Sequence, residues 1–282
     1  MLRRRPLSLA LWLGVATSAA AASPTLEPAW VAKGLANPES VVASADGTQY
    51  YVSNVAGEGD ALDGQGFIAR LSPAGELLEK EWIAGLNAPK GMVLHAGQIF
   101  VSDITELVVI DVAAGKVLAR HAAPGAKFLN DVARAPDGRV LVSDSGTARI
   151  FAWDGKALAE WLADDALRAV NGLLPEADRL IVTTMDGKLL AVDWQTRAVT
   201  MLAADLGNAD GVVCLDDGSY LVGEWPGRLF HVVPATDAVA ASVTTVLDGR
   251  EQKQYLNDFL RVGDVLLVPN WEPSTLSAYR IR

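Results

Sequence analysis

Cysteine is almost missing from this chain of 282 residues: Cys214 stands alone. That excludes an internal disulfide, a multi-cysteine zinc site and a CxxC redox pair. The surrounding stretch 211–215 is apolar, which predicts a small buried side chain and not a nucleophile. Histidine is also scarce, with His95, His121 and His231 at unrelated places. No GxSxG elbow, HExxH pair, P-loop or dinucleotide-binding glycine fingerprint occurs. A Ser-His-Asp triad and a Rossmann domain are therefore not expected. Basic residues are the minority, 24 against 34 acidic ones, and the formal charge of -10 repels nucleic acid and anionic lipid. With 50% hydrophobic and 21% charged residues, the composition excludes disorder and suits a packed interior.

No apolar run reaches the roughly 20 residues of a membrane-spanning helix. The nearest is 7–16, which follows Arg3, Arg4 and Arg5 and precedes the small-residue tract 18–23. This pattern predicts a secretory signal peptide over residues 1–22, cleaved after Ala22, with the general secretory route favoured over the twin-arginine one. The expectation is an exported protein, periplasmic or extracellular. Its mature part, 23–282, carries 21 basic against 34 acidic residues, a balance of -13.

That mature part repeats one phrase six times: a polar residue, a short apolar strand, a turn, and a second strand ending in small polar residues. The copies are PESVVASADGTQYYVSN, PKGMVLHAGQIFVSD, LNDVARAPDGRVLVSD, VNGLLPEADRLIVTT, ADGVVCLDDGSYLVGE and LNDFLRVGDVLLVPN. Their leading polar residues are Glu39, Lys90, Asn130, Asn171, Asp210 and Asn257, spaced by 51, 40, 41, 39 and 47 positions. A third strand follows each phrase, at 67–71, 107–112, 149–153, 188–193, 228–233 and 275–281. A fourth follows five of them, at 77–83, 117–121, 158–162, 198–202 and 243–247. The sixth copy has none before Arg282, and the unassigned segment 29–35 can supply it. The prediction is an all-β fold: one six-bladed β-propeller of four-stranded blades, closed by an N-terminal strand. Two Ig-like sandwiches would leave the six copies in register unexplained. Helix is expected to be scarce, with at most one turn at 164–169.

In a propeller the starts of the innermost strands converge at one end of the axis, so the six leaders form a ring. Buried polar groups there are costly unless paired, hydrogen-bonded or bound to a cation. Glu39 and Asp210 bring carboxylates, Asn130, Asn171 and Asn257 amide carbonyls, and Lys90 one cation. This oxygen-rich set suits Ca²⁺ or Mg²⁺ better than the nitrogen and sulfur ligands of structural zinc, although Mn²⁺ and Zn²⁺ also accept oxygen. Residues thirteen to fifteen after each leader, Asn54, Asp103, Asp144, Thr184, Glu224 and Asn270, are placed in an outer layer around the ring. For Asp103 and Asp144 the VSD phrase points to turn stabilisation.

Glu39 after Pro38, Asn130-Asp131 before the PDGR turn at 136–139, Asn171-Gly172, and Asp210-Gly211 before an acidic-glycine turn resemble the senescence marker protein, regucalcin and gluconolactonase family. The resemblance covers nearly all of the mature chain. It implies a six-bladed propeller with one divalent cation in the channel and, for some members, lactone hydrolysis. It assigns metal binding to Glu39, Asn171 and Asp210, substrate contact to Asn130, and a further role for Asp210 as general base. The chain departs from the family at Lys90, open to binding a substrate carboxylate, stabilising an oxyanion, partly offsetting negative charge or weakening metal binding. Phe128, next to Lys127, stands where an arginine is expected.

Asn257 is a further substrate-contact candidate, and Asp258 either extends the site or caps a hairpin. Trp225 and Trp271 are candidate pocket walls, whereas Trp82, Trp153, Trp161 and Trp194 suit packing between blades. The acidic, glycine-rich stretch 56–66 is either a lid or a mobile surface loop. The functional expectation is an exported hydrolase of lactones, sugar lactones among them, using one divalent cation, Ca²⁺ first among the choices. The substrate is a small molecule, with neither nucleic acid nor a membrane span involved. The alternatives are a non-catalytic ligand- or protein-binding propeller and an esterase or organophosphate hydrolase on the same scaffold. Oligomeric state is left open.

Overall fold

A computed structural model describes residues 23–282; the expected signal peptide lies outside the described residues. Six antiparallel sheets of four strands form the blades of a β-propeller. The first blade shows the plan, running outward from the axis through Pro38–Ala43, Tyr50–Asn54, Gly66–Leu71 and Leu77–Leu86. The next four repeat it from the innermost strands Pro89–His95, Leu129–Arg134, Val170–Pro175 and Asn208–Cys214. The only helical element among the described residues is one 3-10 turn, Asp165–Leu167, capped by Asp164, whose Oδ1 accepts from the Ala166 N–H at 2.8 Å. No helix among them is long and apolar enough to cross a membrane.

The last blade closes the ring with both chain ends. Leu260–Val262, Val265–Asn270 and Thr275–Ile281 come from the C-terminal part, and Leu26–Ala32 supplies the outer strand, from Leu26 opposite Ile281 to Ala32 opposite Leu276. The closing strand lies three residues earlier than the 29–35 expected from sequence. Gly34 (φ 91°) and Asn37 (φ 48°) explain the shift, because both leave the extended region and turn the chain toward the first inner strand.

Apolar side chains fill the space between neighbouring blades. Val42 and Ile68 pack with Val101 and Ile110, while Phe100 and Val109 pack with Val132 and Phe151. Across the closure, Ala32 and Leu276 meet Val52 and Phe67. Aromatic pairs follow the same seams, including Phe100 with Trp153 at 5.0 Å and Trp161 with Trp194 at 5.7 Å between ring centroids. Strands buried on both faces account for apolar runs without alternation, such as Arg179–Thr184.

One irregularity recurs and positions everything that follows. Pro38 faces Asn54 but Val41 faces Val52, so the inner strand carries one extra residue, a β-bulge containing Glu39 and Ser40. Bulges at the same place hold Lys90, Asn130, Asn171 and Asp210. In the last blade Leu256 bridges Asn270 before Leu260 pairs with Leu267, again with one residue in excess around Asn257. A bulge re-aims side chains, and here it frees the leader from strand alternation.

Truncating the chain before Lys33 should expose the Thr275–Ile281 edge, lower the thermal midpoint by roughly 10 °C and cause concentration-dependent association. A truncated protein that stays monodisperse with an unchanged midpoint would contradict the closure.

Candidate functional site

The six leaders end at one place. Glu39, Lys90, Asn130, Asn171, Asp210 and Asn257 are each between 4% and 6% exposed. All line one axial cavity of about 280 Å³, together with Gly59, Phe128, Met185, Asn208, Trp225 and Trp271. Every residue singled out from sequence as a metal or substrate contact is therefore in this cavity. The outer-layer residues are not among its lining. Three of them hold the loops that enter the inner strands: Asp103 accepts from the Asn87 and Ala88 N–H groups, Asp144 from Phe128, and Asn54 from Ala36. Thr184, Glu224 and Asn270 bond within their own hairpins, to Asp186, Arg228 and Thr275.

Hydroxyls fasten three of the blades to the leader of the next. Ser53 Oγ accepts from the Ser40 N–H at 2.9 Å and donates to the Lys90 carbonyl at 2.8 Å. Thr183 Oγ1 does the same between the Gly172 N–H and the Asp210 carbonyl, and Ser102 Oγ donates to the Asn130 carbonyl. These contacts use backbone atoms of the leaders and leave their side chains to the cavity.

The residues after the leaders form a second, deeper ring that sequence reasoning only half identified. Asp131 Oδ2 accepts from the Leu173 N–H of the next blade at 2.6 Å, and Asp258 Oδ2 accepts from Ser40 Oγ at 2.9 Å. Each aspartate thus ties down a neighbouring bulge, the one carrying Asn171 and the one carrying Glu39. A Cβ on Gly91 would lie 2.4 Å from the Asp131 Cα, and one on Gly211 2.9 Å from the Asp258 Cα. The blades approach too closely there for any other residue. The available signal was the Asn-Asp pair, which occurs at 130–131 and again three blades later at 257–258.

Four buried carboxyls in one channel disfavour ionisation. Desolvation, then the charges of Asp210 and Asp258, push the Glu39 carboxyl well above the usual range. Burial and Asp258 raise Asp210 to about 8, against which the nearby Asn171 side chain works. Burial also raises Asp131, and lifts Asp258 to about 6. Lys90 relieves this only in part: its charge works against the rise at Glu39, while burial lowers the pKa of the ammonium itself. Its Nζ donates to the Gly59 carbonyl at 2.7 Å and the Ala88 carbonyl at 3.1 Å, and lies 4.4 Å from the Phe128 ring centroid. Glu39 Oε2 and Asp210 Oδ1 are buried without any hydrogen-bond partner. Among the described residues no three His, Cys, Asp or Glu side chains are grouped to share an ion. A cation on the axis would depend on the Asn171 amide oxygen beside these two carboxylates, and on water. Two orphaned carboxyl oxygens, which a bound cation would hold ionised, and an amide fit a hard, oxygen-preferring divalent cation.

Other candidate groups are spent elsewhere. His231 Nε2 lies 2.8 Å from Ser219 Oγ, but that hydroxyl donates to Asp217 Oδ1, so the imidazole orders a hairpin instead of activating a nucleophile. Cys214 is half-buried and not fully buried as its apolar surroundings suggested, because it ends its strand at the hairpin. Burial pushes its thiol up. The stretch 56–66 reaches the cavity mouth through Gly59, and the Gly64 N–H donates to Asn87 Oδ1 at 3.3 Å. Trp225 and Trp271 wall the cavity as expected, edge to face with centroids 6.1 Å apart. Met185 and Asn208 were missed, although the repeat marks both: Met185 follows Thr184 as Trp225 follows Glu224, and Asn208 stands two residues before Asp210 as Phe128 does before Asn130.

No protein-family model and no curated protein sequence matches this chain. Solved structures match in fold. Virginiamycin B lyase from Staphylococcus aureus superposes with a TM-score of 0.66 at 8% identity, over 92% of this chain and 99% of that one. A catalytically inactive histidine-to-alanine variant of the same lyase with quinupristin gives 0.63 at 11%, over 92% and 99%. The extracellular domain of the putative hybrid two-component system BT4673 from B. thetaiotaomicron gives 0.61 at 12%, over 86% of this chain and 32% of that one. At these identities the likeness establishes the six-bladed propeller fold.

The raised carboxyls predict an inverted pH dependence. Asp210, at about 8 in the folded chain against about 4 unfolded, makes the folded state bind more protons between those values, so stability falls as pH rises through them. Asp258 acts with the same sign up to about 6. Asp46 and Asp248, held at about 2 by hydrogen bonding, act only below this window. Chelator-treated protein should melt at a lower temperature at pH 8 than at pH 5, and a divalent cation should raise the midpoint more at pH 8. A cation-free midpoint that climbs from pH 5 to 8 would contradict the assignment.

Proposed function

We propose that this protein is an exported hydrolase of lactones that works with one divalent cation, as its resemblance to the senescence marker protein, regucalcin and gluconolactonase family implies. One observation carries the reading: Glu39 Oε2 and Asp210 Oδ1 are buried, unpartnered and on the same ligand-sized cavity. An anionic oxygen left bare in a low-dielectric site is costly, and a cation compensates it. Glu39, Asn171 and Asp210 would hold the ion, with Ca²⁺ the first choice and Mg²⁺, Mn²⁺ or Zn²⁺ the others. When bound, it polarises an ester carbonyl and acidifies water.

The chain's own groups do the rest. Asp210 accepts the proton of the attacking water as its oxygen bonds to the carbonyl carbon, and returns it to the alkoxide released when the ring C–O bond breaks. The product is a hydroxy acid, and no protein nucleophile is consumed. Asn257 spends one amide N–H on the Pro38 carbonyl at 2.8 Å, and Asn130 one on Ser145 Oγ at 3.2 Å. Each keeps a second N–H for substrate. Lys90, fixed by two carbonyls, places positive charge near the carbonyl under attack. A lyase reading has less support, because the S. aureus lyase is inactivated by a histidine-to-alanine change and no histidine lines this cavity.

Chelated protein should be inert on a panel of lactones, gain activity when one of the four cations returns, and lose about 10²–10⁴-fold of it in Asp210→Ala. Glu39→Gln should weaken cation binding. Cation binding without turnover of any lactone, aryl ester or phosphotriester would leave a ligand-binding propeller instead.

A further inference from the structure

The cavity has two chemically different halves. Its floor is the polar ring. Its wall is formed by Phe128, Met185, Trp225 and Trp271, with Asn208 and the Gly59 backbone as the polar exceptions. The wall is braced from behind: Trp225 packs edge to face on Tyr255 with centroids 5.5 Å apart and on Trp271 at 6.1 Å, and Trp271 packs against Val55, Ala88 and Ile104. Phe128 is fixed through its N–H to Asp144 Oδ1 at 2.8 Å and carries the Lys90 ammonium near its ring. The aromatic faces are therefore held in place before any ligand arrives.

We infer that the substrate carries an apolar substituent, alkyl or aryl, on the ring that is opened, and is not a polyhydroxylated sugar lactone. This rests on the lactonase reading and narrows it. The floor's hydrogen-bonding groups serve the ester and its water, so hydroxyls elsewhere on a sugar ring would face Phe128, Met185 and two indoles without partners. A polar group desolvated without a partner is penalised, whereas a methylene on the same wall is favoured. Phe128 makes the argument specific, because it places a hydrophobic ring beside the Asn130 amide that touches substrate. At about 280 Å³ the cavity lies near the lower end of small-ligand sites, which suits a lactone ring with a short side chain.

The experiment compares δ-lactones bearing propyl, pentyl and heptyl side chains with glucono-δ-lactone, all six-membered rings, on the cation-loaded protein. Intrinsic tryptophan fluorescence is followed in parallel with turnover, with and without cation. Apparent affinity should rise about threefold to fourfold per methylene over the first steps, with quenching of Trp225 and Trp271, and kcat/KM for the pentyl compound should exceed that for the gluconolactone at least 100-fold. Trp271→Ala should flatten the chain-length dependence and Trp271→Phe restore it. Higher kcat/KM for the gluconolactone, or a flat series in the unmodified protein, overturns the inference while leaving the lactonase reading intact. Absence of turnover on every lactone removes that reading, and the fluorescence series still decides whether the wall selects apolar ligands.

Discussion

Everything in this molecule depends on two carboxylate oxygens for which the chain provides no partner. Glu39 Oε2 and Asp210 Oδ1 sit on the axis with Asp131 and Asp258 beneath them. Burial and mutual repulsion disfavour all four charges. Lys90 offsets part of this at Glu39, with its ammonium held by the Gly59 and Ala88 carbonyls. The fold therefore holds an electrostatic deficit that a cation would balance, on the floor of the axial cavity.

The scaffold keeps that deficit in place through backbone geometry. A one-residue bulge at the start of every inner strand directs six leaders to the axis. Ser53, Ser102 and Thr183 hydroxyls tie their blades to the next leader, and Asp131 and Asp258 lock the bulges that carry Asn171 and Glu39. Closure of the last blade by Leu26–Ala32 stops the ring from opening and spreading the leaders apart. The placement of the leaders thus rests on individually ordinary hydrogen bonds made by serine, threonine and aspartate side chains.

The blade count, the ring of leaders and the closing strand were legible in the sequence because a period near forty residues repeats a hydrogen-bonding unit. The closing strand was displaced by three residues since a strand-like segment does not announce that Gly34 and Asn37 bend it. The deeper aspartates were half legible, as Asn-Asp pairs whose partners, the Leu173 N–H and Ser40 hydroxyl, lie on other blades. Met185 and Asn208 were legible only through the repeat register, Met185 following Thr184 as Trp225 follows Glu224, and Asn208 opening its inner strand two residues before Asp210, as Phe128 stands two before Asn130. Composition set aside nucleic-acid binding and disulfide or multi-cysteine chemistry, whereas the apolar character of the cavity wall is visible only in the fold.

The most direct measurement is anomalous diffraction from crystals soaked in Mn²⁺ or Ca²⁺. The account predicts one peak on the propeller axis, with oxygen ligands from Glu39, Asn171 and Asp210 at about 2.1–2.6 Å and at least one coordination position filled by water. A clean axis after soaking, or a peak bound only to surface carboxylates, would contradict it.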